Sequence, residues 1–365
     1  MSAELAAAIG FVTAGVVALA VTPLAIAVAH RTDFLDHPRE YRRHDAPTPL
    51  LGGAAVLIAF LVAALVVGGG AGRLMALLVC AAVMWLLGTV DDRIAVAPGW
   101  RLLAEAGAAV ALCRVGLDWQ IGRGDGVHVL LTVIWVVGLV NAFNLMDNLD
   151  GACATVGCAC GAGIGTLAAI HAQAAIAGMA FALAGACAGF LRYNLARPSK
   201  SFLGDGGSMP VGLLVAGLAM ATARHLPFAD SSLLACALLV GVPILDTSLV
   251  SVSRLRRGVT LVTGGRDHLT HRLLLRLGSA RAVAACVGLL QLGLCGAAIV
   301  GDLIGRTSLY AIAGVAVAAG VVTIAVLDSA AWRPAGIAFG PPTATARQPA
   351  GSDGPERESL GVDVP

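Results

Sequence analysis

Asn141-Ala142-Phe143-Asn144-Leu145-Met146-Asp147-Asn148-Leu149-Asp150-Gly151 closes an apolar run that begins near residue 129. Four polar side chains recur here at intervals of three. Each such step turns an ideal helix back by about 60°, so Asn141 and Asp150 cannot share a face unless the helix breaks. Gly151 permits that break. The stretch therefore reads as the end of a membrane helix wrapping into a polar pocket. An ordinary Asx-rich turn would not carry so many carboxamides and carboxylates beside so apolar a segment.

Working outward, the chain is 58% apolar and 13% charged, with a mean hydropathy of +0.85. These values exclude a soluble domain and define an all-α, polytopic membrane bundle. Apolar runs of roughly 16 to 25 residues, enough to cross a hydrocarbon core, lie at 5–29, 50–68, 74–90, 102–117, 129–145, 152–170, 172–191, 209–225, 232–250, 282–300 and 308–327. We expect ten or eleven spans. The run at 102–117 is the weakest, because it is short and contains Glu105.

Basic residues orient the spans, since Lys and Arg accumulate in cytoplasmic loops. With the N-terminus outside, sixteen of the 24 basic residues fall in the loops 30–49, 91–101, 192–208 and 254–281. The opposite loops hold Arg73, Arg114, Arg123, Arg224 and Arg306. Residues 1–29 lack a basic leader region and carry Glu4, so a retained helix is expected rather than a cleaved signal. The nine cysteines lie mostly within spans, without zinc-ligand spacing. Residues 1–330 form one membrane domain in this reading, and 331–365, rich in Pro, Gly, Ala, Thr and Ser, read as a disordered tail.

Three further acidic clusters lie at the same end of the spans. Asp91-Asp92-Arg93 leaves the run 74–90 at a helix C-terminus, where the helix dipole adds to the repulsion of adjacent carboxylates. A divalent cation, Arg93 or both would compensate. Phe202-Leu203-Gly204-Asp205-Gly206-Gly207-Ser208 opens the eighth span, and its glycines let backbone amides approach a phosphate. Asp205 suits Mg²⁺, and Phe202 offers a surface for a base. Asp267-His268 with His271 and Arg272 ends the longest internal polar loop, whose Arg and His content suits a diphosphate. Asp246 is open between a cap, a partner for Arg254 and a direct role.

These segments, with His37-Pro38-Arg39, Pro47-Thr48-Pro49-Leu50-Leu51-Gly52-Gly53 and Pro243-Ile244-Leu245-Asp246-Thr247, stand in the order seen in one family. Over most of residues 1–330 the chain resembles the polyprenyl-phosphate N-acetylhexosamine-1-phosphate transferases, glycosyltransferase family 4. The resemblance implies transfer of a sugar 1-phosphate from a UDP-N-acetylhexosamine to a polyprenyl phosphate, with release of UMP. It implies a Mg²⁺ requirement, with Mn²⁺ as a substitute, at the first membrane step of a cell-envelope glycan such as lipopolysaccharide, teichoic acid or arabinogalactan.

Mapped residue by residue, the resemblance puts the metal on Asp205 and Asp91 and gives catalytic roles to Asp91, Asp92, Asp147, Asp150 and His268. Substrate contacts fall to Asn141, Asn144, Phe202, His271 and Arg272. Asp92 either keeps the acceptor phosphate deprotonated and aligned or attacks first. Arg93 directly follows the Asp pair, and Thr270 interrupts His268 and His271 where the peptidoglycan enzyme has three consecutive His, which favours the N-acetylglucosamine branch. Asn148 stands where Gly is usual. No nucleic-acid partner is implied, and the sugar epimer and a homodimer stay open. A membrane prenyltransferase would place its Asp residues four apart, and a transporter would place its polar site near the midplane of broken or repeated helices.

Overall fold

The computed structural model describes residues 1–37, 47–68, 72–122, 124–226, 229–261 and 265–332. Pro38 and Arg39 of one expected motif, and nearly all of the expected tail, lie outside these residues. The described part is helical apart from a two-residue antiparallel pairing of β1 (Leu35–Asp36) with β2 (Thr48–Pro49).

Among the described residues, eight helices are long and apolar enough to cross a membrane: α1 (Ala3–Thr32), α3 (Gly72–Ile94), α5 (Asp125–Met146), α6 (Ala152–Ile170), α7 (Ala174–Asn194), α8 (Asp205–Ala223), α12 (Ala280–Ile304) and α13 (Arg306–Leu327). The other three expected spans differ in form. α2 (Gly52–Val66) and α4 (Pro98–Arg114) are shorter, at 15 and 17 residues. The span at 232–250 is broken into α9 (Ala229–Leu239) and α10 (Gly241–Arg257), whose axes bend by 80°.

That break would strand backbone groups in an apolar setting, where each is costly. Gln291 of α12 meets the need, accepting from Val242 N at 2.9 Å and donating to the carbonyls of Leu238 and Leu239 at 3.2 and 2.9 Å. A short helix, α11 (Leu269–Leu277), follows α10, and the 3₁₀ turn Ala330–Trp332 closes the described chain.

α8 is buried over its whole apolar window, whereas α13 is only 6% buried. The bundle is therefore built around α8. Because lipid supplies no hydrophobic drive between helices, close packing depends on small residues. At Gly10, where α1 crosses α7, an added Cβ would lie 2.1 Å from Gly178 O. At Gly88, where α3 crosses α8, it would lie 2.2 Å from Asp205 O. The second contact brings the C-terminus of α3 against the N-terminus of α8.

The segment before α8 is fixed in turn, Phe202 N donating to Pro49 O at 2.8 Å and Gly53 N to Leu203 O at 3.0 Å.

Candidate active site

Four helix ends meet at one end of α8. α3 delivers Asp91 and Asp92, α4 begins after a tight turn with Pro98 in its first turn, α5 ends at Met146, and α8 begins at Asp205. Pro suits a first helical turn because no intrahelical partner awaits its missing N–H.

Asp91 is buried and closes the α3–α4 turn, its Oδ1 accepting from Val96 N at 2.6 Å. Its Oδ2 accepts from Arg101 Nη1 at 2.5 Å, and the same Nη1 lies 3.4 Å from Asp205 Oδ2. Arg101 Nη2 donates to Asn144 Oδ1 at 2.8 Å, while Asn144 Nδ2 donates to Asp205 Oδ1 at 2.7 Å and Ser208 Oγ at 3.1 Å. One guanidinium thus sits among oxygens drawn from three separate segments. Asp92 faces the other way: its two oxygens accept from the backbone of Asp205 at 3.0 Å and Gly206 at 3.1 Å. It caps the positive end of α8.

Asn141 lies one turn deeper than Asn144. Its Nδ2 donates to Glu105 Oε2 at 2.5 Å, and Glu105 is fully buried. Arg101 and Glu105, four apart on α4, therefore face Asn144 and Asn141, three apart on α5. Asn141 supports the site from below and makes its contact with protein.

α5 stops at Asp147, and Gly151 has the left-handed φ of 79° that the sequence required. Gly151 N donates to Asn194 Oδ1 at 2.7 Å, tying this turn to α7. Burial, and then the charges of Asp205, Asp92 and Asp150, push the Asp147 carboxyl well above the usual range. A cation would relieve that repulsion.

The fourth cluster is built differently from the expectation. Asp267 is clasped by Arg254 through Nε and Nη2, both at 2.9 Å, and by Arg257 Nη2 at 2.5 Å. Although burial opposes ionisation, these two guanidiniums hold Asp267 at about 2. Its charge is spent inside the loop, and Arg254 serves Asp267 rather than Asp246.

Arg272, expected at the substrate, is fully buried, donating to Asp267 O, Leu327 O and Ser253 Oγ. Its donors tie the loop to α10 and α13.

Asp246, also fully buried, accepts from the Leu269 amide at 2.6 Å and lies 2.9 Å from His268 Nδ1. A carboxylate can only accept, so Nδ1 carries the proton and Nε2 is left for a ligand. His271 stands beside it, with ring centroids 6.2 Å apart, and its buried Nδ1 has no hydrogen-bond partner among the described residues. Burial, then His268 and Arg266, push His271 down to about 4, so it is neutral at physiological pH. Phe202 is half-buried beside the N-terminus of α8.

Among the described residues no group of three or more His, Cys, Asp or Glu forms a closed metal cage. Mg²⁺ does not need one. It keeps waters and takes one or two carboxylates plus substrate phosphates, and the Asp91 and Asp205 oxygens that converge on Arg101 fit that demand. A cavity of about 250 Å³ lined by Asp118, Trp119, Met220 and Arg224 lies at the opposite end of α8, away from every acidic cluster.

Three functional candidates escaped the sequence reading. Arg101 was counted only as loop charge, Ser208 as part of a glycine-rich turn, and Glu105 as a flaw in a weak span. Pro98 followed by Arg101 and Glu105 at helical spacing was the available signal.

Residues 74–223 match a family model described as glycosyl transferase family 4. A Streptomyces coelicolor protein described as a glycosyltransferase is 37% identical over 257 residues, covering 68% of this chain and 59% of that relative. The decaprenyl-phosphate N-acetylglucosaminephosphotransferase of Mycobacterium leprae is 32% identical over 72% of this chain and 75% of its own. The undecaprenyl-phosphate alpha-N-acetylglucosaminyl 1-phosphate transferase of Escherichia coli K12 is 26% identical over 69% and 71%.

Proposed function

Since the chain belongs to glycosyl transferase family 4, the polyprenyl-phosphate sugar-1-phosphate transferases, we propose that it transfers N-acetylglucosamine 1-phosphate from UDP-N-acetylglucosamine to a polyprenyl phosphate. A phosphate oxygen of the lipid forms a bond to the β-phosphorus. The bond from that phosphorus to the bridging oxygen breaks, and UMP leaves with the electron pair. The choice of sugar rests on the names of moderately similar relatives and on the interrupted His motif.

The observation that carries the reading is the convergence of Asp91, Asp205 and Asn144 on the Arg101 guanidinium at the helix ends. Phosphoryl transfer is mainly positioning and charge neutralisation, and this is the arrangement such a reaction needs. Mg²⁺ held by Asp91 and Asp205 would neutralise diphosphate charge. Arg101 adds a second positive charge for the same oxygens. Asp92, with both oxygens on backbone amides, acts through the N-terminus of α8, which favours direct attack by the lipid over a covalent aspartyl route.

Asp147 and Asp150 frame the nucleotide side, with Phe202 stacking on uracil. His268, oriented by Asp246, accepts from a sugar hydroxyl through Nε2 or, once protonated there, donates to a phosphate oxygen, and neutral His271 offers Nδ1. The basic loops around these helix ends suit a cytoplasmic site in the cell membrane, with the N-terminus outside.

The test is UMP release by purified protein from UDP-N-acetylglucosamine and UDP-N-acetylgalactosamine, with and without polyprenyl phosphate, in Mg²⁺, Mn²⁺ or EDTA. Release that needs both lipid and metal supports the transferase and ranks the sugars. Failure with both nucleotide sugars would sink it.

A further inference from the structure

Two side chains that this mechanism leaves unused touch each other. Asn148 lies in the turn after α5, between Asp147 and Asp150, and Thr270 lies in the first turn of α11, between His268 and His271. Asn148 Nδ2 donates to Leu145 O at 2.6 Å, which fixes the amide and turns its Oδ1 toward Thr270. The Thr270 hydroxyl donates to that oxygen at 2.5 Å. Thr270 is fully buried, and a buried hydroxyl without a partner is costly, so the contact holds both segments.

The surrounding connections give this bond its meaning. From α10, Asp246 grips the His268 ring and the Leu269 amide. From the α5–α6 turn, Asn148 grips Thr270 one residue further on. The His268 segment is thus fixed from two sides, and the second side is the turn that carries Asp147 and Asp150.

We infer that Thr270 and Asn148 form a latch that sets the Asp246–His268 pair in register with the carboxylate cluster, as positioning residues for the transfer step. The inference rests on the transferase reading. A loosened latch would leave UDP-sugar binding largely intact, because the turn that carries Asp147 and Asp150 stays tied to α7 through Gly151 N and Asn194, and the Arg101 contacts lie on other helices. It would misplace His268 when the phosphorus is attacked, and so act on kcat.

The experiment compares wild type with Thr270→Val, Thr270→Ser, Asn148→Ala and the Thr270→Val/Asn148→Ala double variant in detergent. Losing one oriented hydrogen bond should lower kcat roughly tenfold in the Val and Ala variants, while KM for the UDP-sugar moves by less than about twofold. Thr270→Ser should restore the rate, and the double variant should be no slower than either single one. Hydrogen–deuterium exchange over 266–277 should rise in the Val and Ala variants and not in the Ser variant. Unchanged kcat, losses that multiply in the double variant, or a matching change in KM would overturn the latch. If wild type releases no UMP, the transferase reading fails by itself. The exchange comparison then still decides whether the two segments are coupled, and unchanged exchange overturns that too.

Discussion

Arg101 of α4 reaches Asn144 of α5 at 2.8 Å while its other terminal nitrogen lies 2.5 Å from Asp91 of α3. Three helices are joined by one side chain whose charge lies where a diphosphate would need it. Replacing Arg101 with Met removes that charge but keeps much of the apolar stem. We expect kcat/KM for UMP release to fall by about 10²-fold or more, with Arg101→Lys losing less. Equal activity in the Met variant would remove Arg101 from the machinery.

Asp205 holds Asn144 and, with Asp91, the oxygens that suit a divalent cation. Asp205→Asn keeps the size of the side chain and the start of α8. UMP release should drop roughly 10³-fold with membrane expression unchanged, and raising Mg²⁺ should recover only part of it. Adding EDTA to wild type should give the same silence, reversed by Mg²⁺ or Mn²⁺.

Asp246 touches no substrate in the mechanism above, yet it fixes the His268 tautomer through Nδ1. In Asp246→Asn the amide can donate, and the ring loses its preference for the useful tautomer. A kcat reduced by roughly 10- to 100-fold is expected, together with a shifted acid limb in the pH profile. A loss confined to KM would contradict this role.

His271 titrates at about 4 in the folded chain because burial and its neighbours disfavour the charge. The unfolded chain takes up that proton near pH 6.5. Between these values the unfolded state binds more protons, so this contribution to stability is full above about pH 6.5 and declines as pH falls toward 4. Thermal unfolding followed by tryptophan fluorescence should show a lower Tm at pH 5 than at pH 7.5. His271→Gln should flatten that slope without moving the value at pH 7.5 by as much.

The class of the protein was legible because membrane spans are long, and the candidate site was legible in part because carboxylates beside such spans are conspicuous. Asp91, Asn144 and Asp205 were named from sequence and meet in space. Asp246 stayed ambiguous, since its partners Leu269 and His268 are more than twenty residues away. The partners of Arg272 were hidden for the same physical reason. A basic residue near a phosphate site looks like a ligand until its true partners, Leu327 O and Ser253, are seen to come from distant helices. The 80° bend between α9 and α10 was equally hidden, because hydropathy does not register a glutamine that caps a break from another helix.

Gly88 takes no part in any chemistry described above, but the placement of Asp91 against Asp205 depends on the methyl group it lacks, since an added Cβ would lie 2.2 Å from the Asp205 carbonyl oxygen. A side chain there would act as a wedge between two backbones. A loss-of-function map of this chain should therefore mark Gly88, and Gly53 beside Gly207, as strongly as the acids themselves. Intolerance at those sites would measure the permitted distance between helices, and no survey of reactive groups would find it.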